Sequence, residues 1–307
     1  MSEIAAVVLA HADPDHFARL AGALDGLPVF LHCDTKASDE VVGRMRAHRD
    51  VYLLPRRDTR LGGWSLVAAE LSGVEAALQR TSAGHIAVMS GADYPLLSTA
   101  EIVAEVGSWG DRSFIYNRPI PYAQWNNDRH PDGGLWRTRY RFLHWRDNPV
   151  ALAGRPLRCP FPRRGPADLT LRASSHWKIY SRADAYLLLR VLEARPDLVS
   201  FGRSSFIPEE SFVASVLASE AIVGASALRV CYGNPWFYRF SGQDHPRWLE
   251  LRDFPEMADG QRAHLFDFAV PDDEPRALPQ HRKLFARKFS SRMSSELVDK
   301  VDHELRR

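Results

Sequence analysis

Hydrophobic positions in the first hundred residues alternate between a strand rhythm and a helix rhythm. Residues 4–10 form a β-branched and alanine run, after which His11-Ala12-Asp13-Pro14 turns the chain. Asp13 can cap a helix with Pro14 in its first turn, and Phe17, Leu20, Ala21 and Leu24 then share one helical face. Residues 28–32 read as a second strand, 41–45 as a helix, 51–54 as a third strand, 64–78 as a strongly patterned helix and 85–89 as a fourth strand. Ser98-Thr99-Ala100-Glu101 has the spacing of a capping box and opens another helix. Strands alternating with helices predict an α/β fold, a mostly parallel sheet covered on both faces. Ligands of such sheets bind beyond the carboxyl ends of the strands, which singles out His11, Asp34, Ser90, Gly91 and Asp93.

The rhythm breaks between residues 109 and 173, where Pro, Gly, Arg and aromatic residues dominate. It resumes with a strand over 176–180 and helices over 183–192 and 209–219. Residues 228–231 and 237–240 read as strands. In the tail, Leu297, Val298, Val301 and Leu305 share one face of an amphipathic closing helix over 294–305. No internal repeat or separating linker is evident, so a single domain over residues 1–307 with a long inserted region at 109–173 is expected.

Composition narrows the class. With 307 residues, 45% hydrophobic and 25% charged, the chain is that of a globular protein and not of a disordered or collagen-like one. No apolar run approaches the ~20 residues of a membrane span, and Met-Ser-Glu-Ile lacks the basic start of a signal peptide. Cys33, Cys159 and Cys231 are widely spaced and odd in number, which suits a reducing cytoplasm rather than a disulfide framework or zinc site. Charge is uneven. Between residues 112 and 172 there are twelve Arg, no Lys and four Asp, and Trp125, Trp136 and Trp145 fall in the same stretch. Arginine beside aromatic rings suits phosphates, carboxylates or sugars. Nucleic acid is the weaker reading because no binding motif accompanies the charge. A solvated loop is the plain alternative, since Arg outnumbers Lys 35 to 5 overall.

The usual phosphate motifs, G-x-x-x-x-G-K-[ST] and G-x-G-x-x-G, are absent. Gly62-Gly63, just before the 64–78 helix, could offer backbone N–H groups to an anion or could simply turn the chain. Asp13-Pro14-Asp15 spells the Asp-x-Asp of metal-dependent sugar-nucleotide enzymes, but helix capping explains it. After the fourth strand stands Asp93 alone, a poor cage for a hard divalent ion. Arg282-Lys283-Leu284-Phe285-Ala286-Arg287-Lys288-Phe289 could neutralise a diphosphate or be a basic surface run. Glu209-Glu210 follows Pro208, where both acids could favour a helix start or one could act as a general base. No G-x-S-x-G elbow supports a nucleophilic hydrolase.

Taken in order, these pieces resemble the core-2/I-branching β-1,6-N-acetylglucosaminyltransferases, a family that includes the peptide O-xylosyltransferases. His32-Cys33-Asp34-Thr35-Lys36 is similar to its "H-x-D-x-K" stretch, Ser90-Gly91-Ala92-Asp93-Tyr94-Pro95-Leu96 to "SGxDYPL", Pro208-Glu209-Glu210-Ser211-Phe212 to "PxESFF", and residues 284–289 spell "LFARKF". Gly62-Gly63-Trp64 and Ser175-His176-Trp177 add to the series. The resemblance implies a GT-A-type Rossmann-like fold and an inverting, metal-independent transfer of N-acetylglucosamine or xylose from a UDP-sugar to an acceptor hydroxyl. It implies Glu210 as the general base, and Lys288 with Arg287 on the diphosphate. His11 and Asp34 would line the uridine pocket, and a second arginine would be Arg247, Arg252 or Arg262. Asp93, Trp136, Arg139, Trp177, Trp236 and Tyr238 would meet a glycan or glycosylated small-molecule acceptor. No cofactor is implied beyond the UDP-sugar donor. The chain lacks the membrane anchor, stem and cysteine framework of animal members, so a bacterial-type cytoplasmic enzyme is expected. A catalytically idle nucleotide-sugar or glycan-binding module, or a nucleotide-sugar hydrolase, is the alternative.

Overall fold

The computed structural model describes residues 4–229, 231, 233–240, 245–263 and 282–307. The first strand, β1 (Ile4–Ala10), sits at the centre of a five-stranded sheet. It pairs in parallel with β2 (Val29–Cys33) on one side and β4 (His85–Ser90) on the other, and β3 (Val51–Leu53) extends the parallel array. The strand Lys178–Ser181 closes the opposite edge, antiparallel to β4. Alternation along each strand sorts the core into two halves. Ile4, Ala6, Val8, Val29, Leu31 and Met89 pack on one face, while Ala5, Val7, Phe30, Ile86 and Val88 pack on the other. Helices α1 (Pro14–Ala23), α2 (Asp39–Arg46) and α4 (Thr99–Gly107), with the C-terminal helix Ser295–Glu304, cover the first face. Helix α3 (Trp64–Arg80), the helices Arg182–Ala194 and Pro196–Arg203, and the helix Phe212–Leu217 cover the second.

Local signals explain the starts of α1 and α4. The Asp13 carboxylate accepts from the His16 N–H at 3.1 Å with Pro14 in the first turn, and Ser98 and Glu101 complete a reciprocal capping box. Helix α3 lies close on the sheet at Gly73, where a Cβ would stand 2.3 Å from the Val7 side chain.

A second sheet was not legible in the pattern. The strand Phe285–Arg287 pairs antiparallel with β5 (Asp93–Pro95) and parallel with Trp236–Tyr238, aligning Arg287 with both Asp93 and Tyr238. The expected strand over 237–240 is therefore shifted to Trp236–Tyr238. Of 228–231, Cys231 forms a lone bridge with Asn117, and Val230 lies outside the described residues. The single helix expected over 209–219 is corrected to two pieces. Ile207, in the left-handed region at φ 52°, starts a 3-10 turn at Pro208–Glu210, and Ser211 at φ −146°, ψ −42° interrupts the chain before Phe212–Leu217. The inserted region carries short strands, the four-residue helix Trp136–Arg139 and a 3-10 turn at Ala123–Trp125. Together this is the GT-A-type arrangement of a mixed, mainly parallel central sheet wrapped by helices.

Candidate active site

The carboxyl ends of β1, β2 and β4, the second sheet and the Pro208–Glu210 turn supply the site's residues. His11 follows β1 and is exposed. Asp34 follows β2, its N–H bound to the Ala10 carbonyl at 2.9 Å. Its carboxylate is buried and saturated, accepting from Lys36 N, Thr59 N, Thr59 Oγ1 and Lys36 Nζ. Burial alone would raise its pKa, but the bonds from Thr59 and Lys36 outweigh that and hold it down at about 2. Asp34 thus stays ionised and ties the loop carrying Thr59 to the end of β2. Neighbouring His32 is kept neutral by burial, its pKa near 4, and its Nε2 accepts the Arg57 N–H at 3.1 Å.

Asp93 and Trp236 are fully buried, at 0% exposure each. The Asp93 carboxylate takes bonds from Ser90 N, Ser90 Oγ, Trp236 Nε1 at 2.9 Å and Arg287 Nη1 at 3.1 Å. Instead of presenting an open surface to an acceptor as expected, both are closed off beneath Arg287 and form the floor that carries it. The reason is the second sheet, whose register sets Asp93 and Arg287 side by side. The Arg287 guanidinium also stacks on Trp177 at 4.3 Å, and Trp177 stacks on His176. Lys288, half-buried, holds its ammonium 5.2 Å from the Trp248 ring. Burial first, then the Arg287 charge, lowers its pKa. Arg287 is paired with Asp93, so Lys288 is the less compensated of the two adjacent cations. Arg247 runs beside them, its carbonyl accepting Lys288 N, but both of its terminal nitrogens bind Asp253. Arg252 pairs with Glu250 at the surface, and the Arg262 side chain lies outside the described residues.

The two acids of the Pro208–Glu210 turn point apart. Glu209 is buried, and its Oε1 accepts the Gly62 N–H at 2.7 Å while Oε2 has no partner. Burial, with the Glu210 charge adding, pushes its pKa up to about 8 against the opposing Gly62 bond. The Gly62-Gly63 turn therefore meets an internal acid. Gly62 has φ 81°, a Cβ there would lie 2.9 Å from Phe206, and its carbonyl accepts the Ile207 N–H. Glu210 instead faces outward, its side chain 35% exposed, and its Oε2 receives Arg137 Nη1 at 2.8 Å. Arg137 lies 3.7 Å over the Trp125 ring. Glu210 is near enough to Arg287 for its charge to favour the guanidinium against burial. One open carboxylate and a buried cation thus share the site.

Of the other expected acceptor residues, Tyr238 is half-buried beside Arg287 in the sheet. Arg139 is exposed, and Trp136 is packed among His130, Phe142 and Phe206 behind the Glu210 turn. It is Arg137, two residues before the expected Arg139, that reaches Glu210. A buried cluster also went unread: Glu70 accepts from Lys178 Nζ at 3.0 and 3.1 Å and from the Tyr180 hydroxyl. His176 Nε2 lies 3.5 Å from the same carboxylate, anchoring the base of the Trp177 stack. The available signal was an acid on the apolar face of α3 that bears Val67 and Val74.

A family model described as Core-2/I-Branching enzyme matches residues 28–254. The chain belongs to the Core-2/I-branching enzyme family. It is therefore assigned to a glycosyltransferase family that uses a nucleotide-sugar donor and an acceptor. The matched span of this Core-2/I-branching member takes in Asp34, Gly62, Asp93, Arg137 and Glu210, while His11, Arg287 and Lys288 lie outside it. No curated protein matches the chain. Among solved structures it is similar to a putative glucose-1-phosphate thymidylyltransferase from Bacillus anthracis, at 8% identity over 61% of this chain and 74% of that one, TM-score 0.30. It is also similar to HddC from Yersinia pseudotuberculosis, at 14% identity over 60% and 79%, TM-score 0.29.

Proposed function

We propose that this one α/β unit transfers a sugar, N-acetylglucosamine or xylose, from a UDP-sugar to an acceptor hydroxyl, with inversion and without a divalent metal. The observation that carries the reading is the outward-facing Glu210 within charge range of Arg287, whose chain neighbour is Lys288. An inverting transfer needs one base and one stabilised leaving group. Arg137 holds Glu210 Oε2, and Oε1 has no internal partner among the described residues. That oxygen would take the acceptor proton as the hydroxyl attacks the anomeric carbon from the face opposite UDP. Lys288, with Arg287 behind it, would stabilise the negative charge developing on the diphosphate. His11 would line the uridine side, with Asp34 holding its loop, and Trp177, Tyr238 and Arg139 would border the acceptor.

Metal independence is supported by the occupation of Asp93, whose oxygens are engaged by internal donors. Three unpaired cysteines suit a cytoplasmic setting. Incubation with a panel of UDP-sugars and simple glycosides in excess EDTA tests the proposal. UDP release should be undiminished by chelation and should require acceptor. Activity abolished by EDTA and restored by Mn²⁺ or Mg²⁺ would overturn the metal-free mechanism, and release independent of acceptor would make the protein a hydrolase.

A further inference from the structure

Among the described residues, four large hydrophobic side chains are more than two-thirds exposed: Leu61 at 72%, Trp145 at 71%, Leu152 at 69% and Phe161 at 78%. Three stand on one meander within the inserted region, and Leu61 adjoins it through Gly63, where a Cβ would meet the Asp147 carbonyl at 2.7 Å. The meander is pinned by backbone pairing. One hairpin pairs His144–Trp145 with Asn148–Pro149 and turns through Arg146 and Asp147, at φ 49° and 64°. A second pairs Ala151–Leu152 with Arg155–Pro156 and turns through Ala153 and Gly154, at φ 49° and 74°. Leu143, Val150 and Leu157 are knitted by backbone bonds of 2.8 to 2.9 Å, and Ser65 binds both Asp147 and Asn148. These side chains are held out by ordered backbone, although water disfavours each exposed apolar group.

The charge around them is predominantly positive. Residues 139–164 contain seven Arg, no Lys and a single acid, Asp147. Arg141, Arg146, Arg155 and Arg164 are exposed with no ion pair among the described residues. Guanidinium groups bind phosphate diesters through two parallel N–H bonds, and Trp, Phe and Leu settle at the boundary between headgroups and acyl chains. A glycan would use the rings but leave Leu61, Leu143 and Leu152 idle, whereas a bilayer uses all of them.

We propose that the meander at residues 140–162, with Leu61, is a docking surface for an anionic phospholipid bilayer. It adjoins the Glu210 turn, since Phe142 N binds the Ser204 carbonyl at 2.9 Å and Trp136 packs between Phe142 and Phe206. A docked membrane would therefore lie on the acceptor side. Docking itself does not depend on the transferase reading and is measured without turnover.

The experiment is sedimentation of the full chain with vesicles of phosphatidylcholine alone or mixed with phosphatidylglycerol. The mixed vesicles should bind the protein at least tenfold more strongly, and binding should weaken steeply as salt rises. Trp145→Ser/Phe161→Ser should lower the partition coefficient about tenfold or more. Arg141→Glu/Arg155→Glu should lower it about 25-fold or more, at about fivefold per arginine lost. Both variants alter exposed positions and should melt like wild type. Failure to bind anionic vesicles at low salt, equal binding to both vesicle types, or wild-type binding by both variants would each overturn the proposal. A concentration-dependent dimer lost in Trp145→Ser/Phe161→Ser, with no vesicle binding, would reassign the patch to a second copy of the chain.

Discussion

Replacing Glu209 by Gln should stabilise the protein, and the gain should grow with pH. Glu209 is buried with one unpartnered oxygen, and its pKa stands at about 8 against an ordinary 4.5. Between those values the unfolded chain releases a proton that the folded state keeps. Stability is therefore fully present below about pH 4.5 and falls as pH rises toward 8. Each pH unit costs about 1.4 kcal/mol, so the ceiling is about 3 kcal/mol at pH 7 and about 5 at pH 8. Glutamine has no proton to lose in either state, and its carbonyl oxygen can still accept the Gly62 N–H. Urea denaturation of both proteins at half-unit steps from pH 5 to 8 measures the difference. Stability of Glu209→Gln minus wild type should climb by up to about 1.4 kcal/mol per pH unit, while contributions from every other group cancel. A difference flat across this range would mean that Glu209 is ionised in the folded protein. No neutral acid would then lie beneath Glu210.

Lys288→Ala should weaken UDP binding by at least tenfold in titration calorimetry, and raised salt should weaken wild-type binding in the same direction. Equal affinity in mutant and wild type would place Lys288 outside the donor site. Gly62→Ala should cost about 1–3 kcal/mol in denaturation, because φ 81° is unfavourable for alanine and the new methyl meets Phe206 at 2.9 Å. It should also slow turnover by disturbing the Glu209 clasp; unchanged stability would show that the turn relaxes freely.

The sequence pattern disclosed the parallel sheet because β1 to β4 each carry a local signal: a β-branched or apolar run, then a cap or turn. Asp13-Pro14 and Ser98 with Glu101 are read within four residues, and both form as expected. The rule that ligands collect at the carboxyl ends of strands located His11, Asp34 and the Asp93 loop. The second sheet was hidden because its strands are three residues each and come from distant parts of the chain. Without it, the resemblance alone assigns Asp93 and Trp236 to the acceptor, whereas the structure buries both beneath Arg287. The separation of Glu209 from Glu210 depends on the left-handed Ile207 and the break at Ser211, which no propensity announces. Arg137 was one of two arginines in a short stretch, and only folding brings Glu210 to one of them.

The roles of the two acids can be compared in a single assay of acceptor-dependent UDP release, with UDP affinity measured alongside. Glu210→Gln keeps the side-chain size and an oxygen for Arg137 but removes the base, so transfer should fall about 10²–10⁴-fold while UDP binds as in wild type. Glu209→Gln, behind the Gly62 turn, should stay within a few-fold of wild type. Wild-type transfer by Glu210→Gln, or a dead Glu209→Gln that folds and binds UDP, would contradict the assignment of Glu210 as the base.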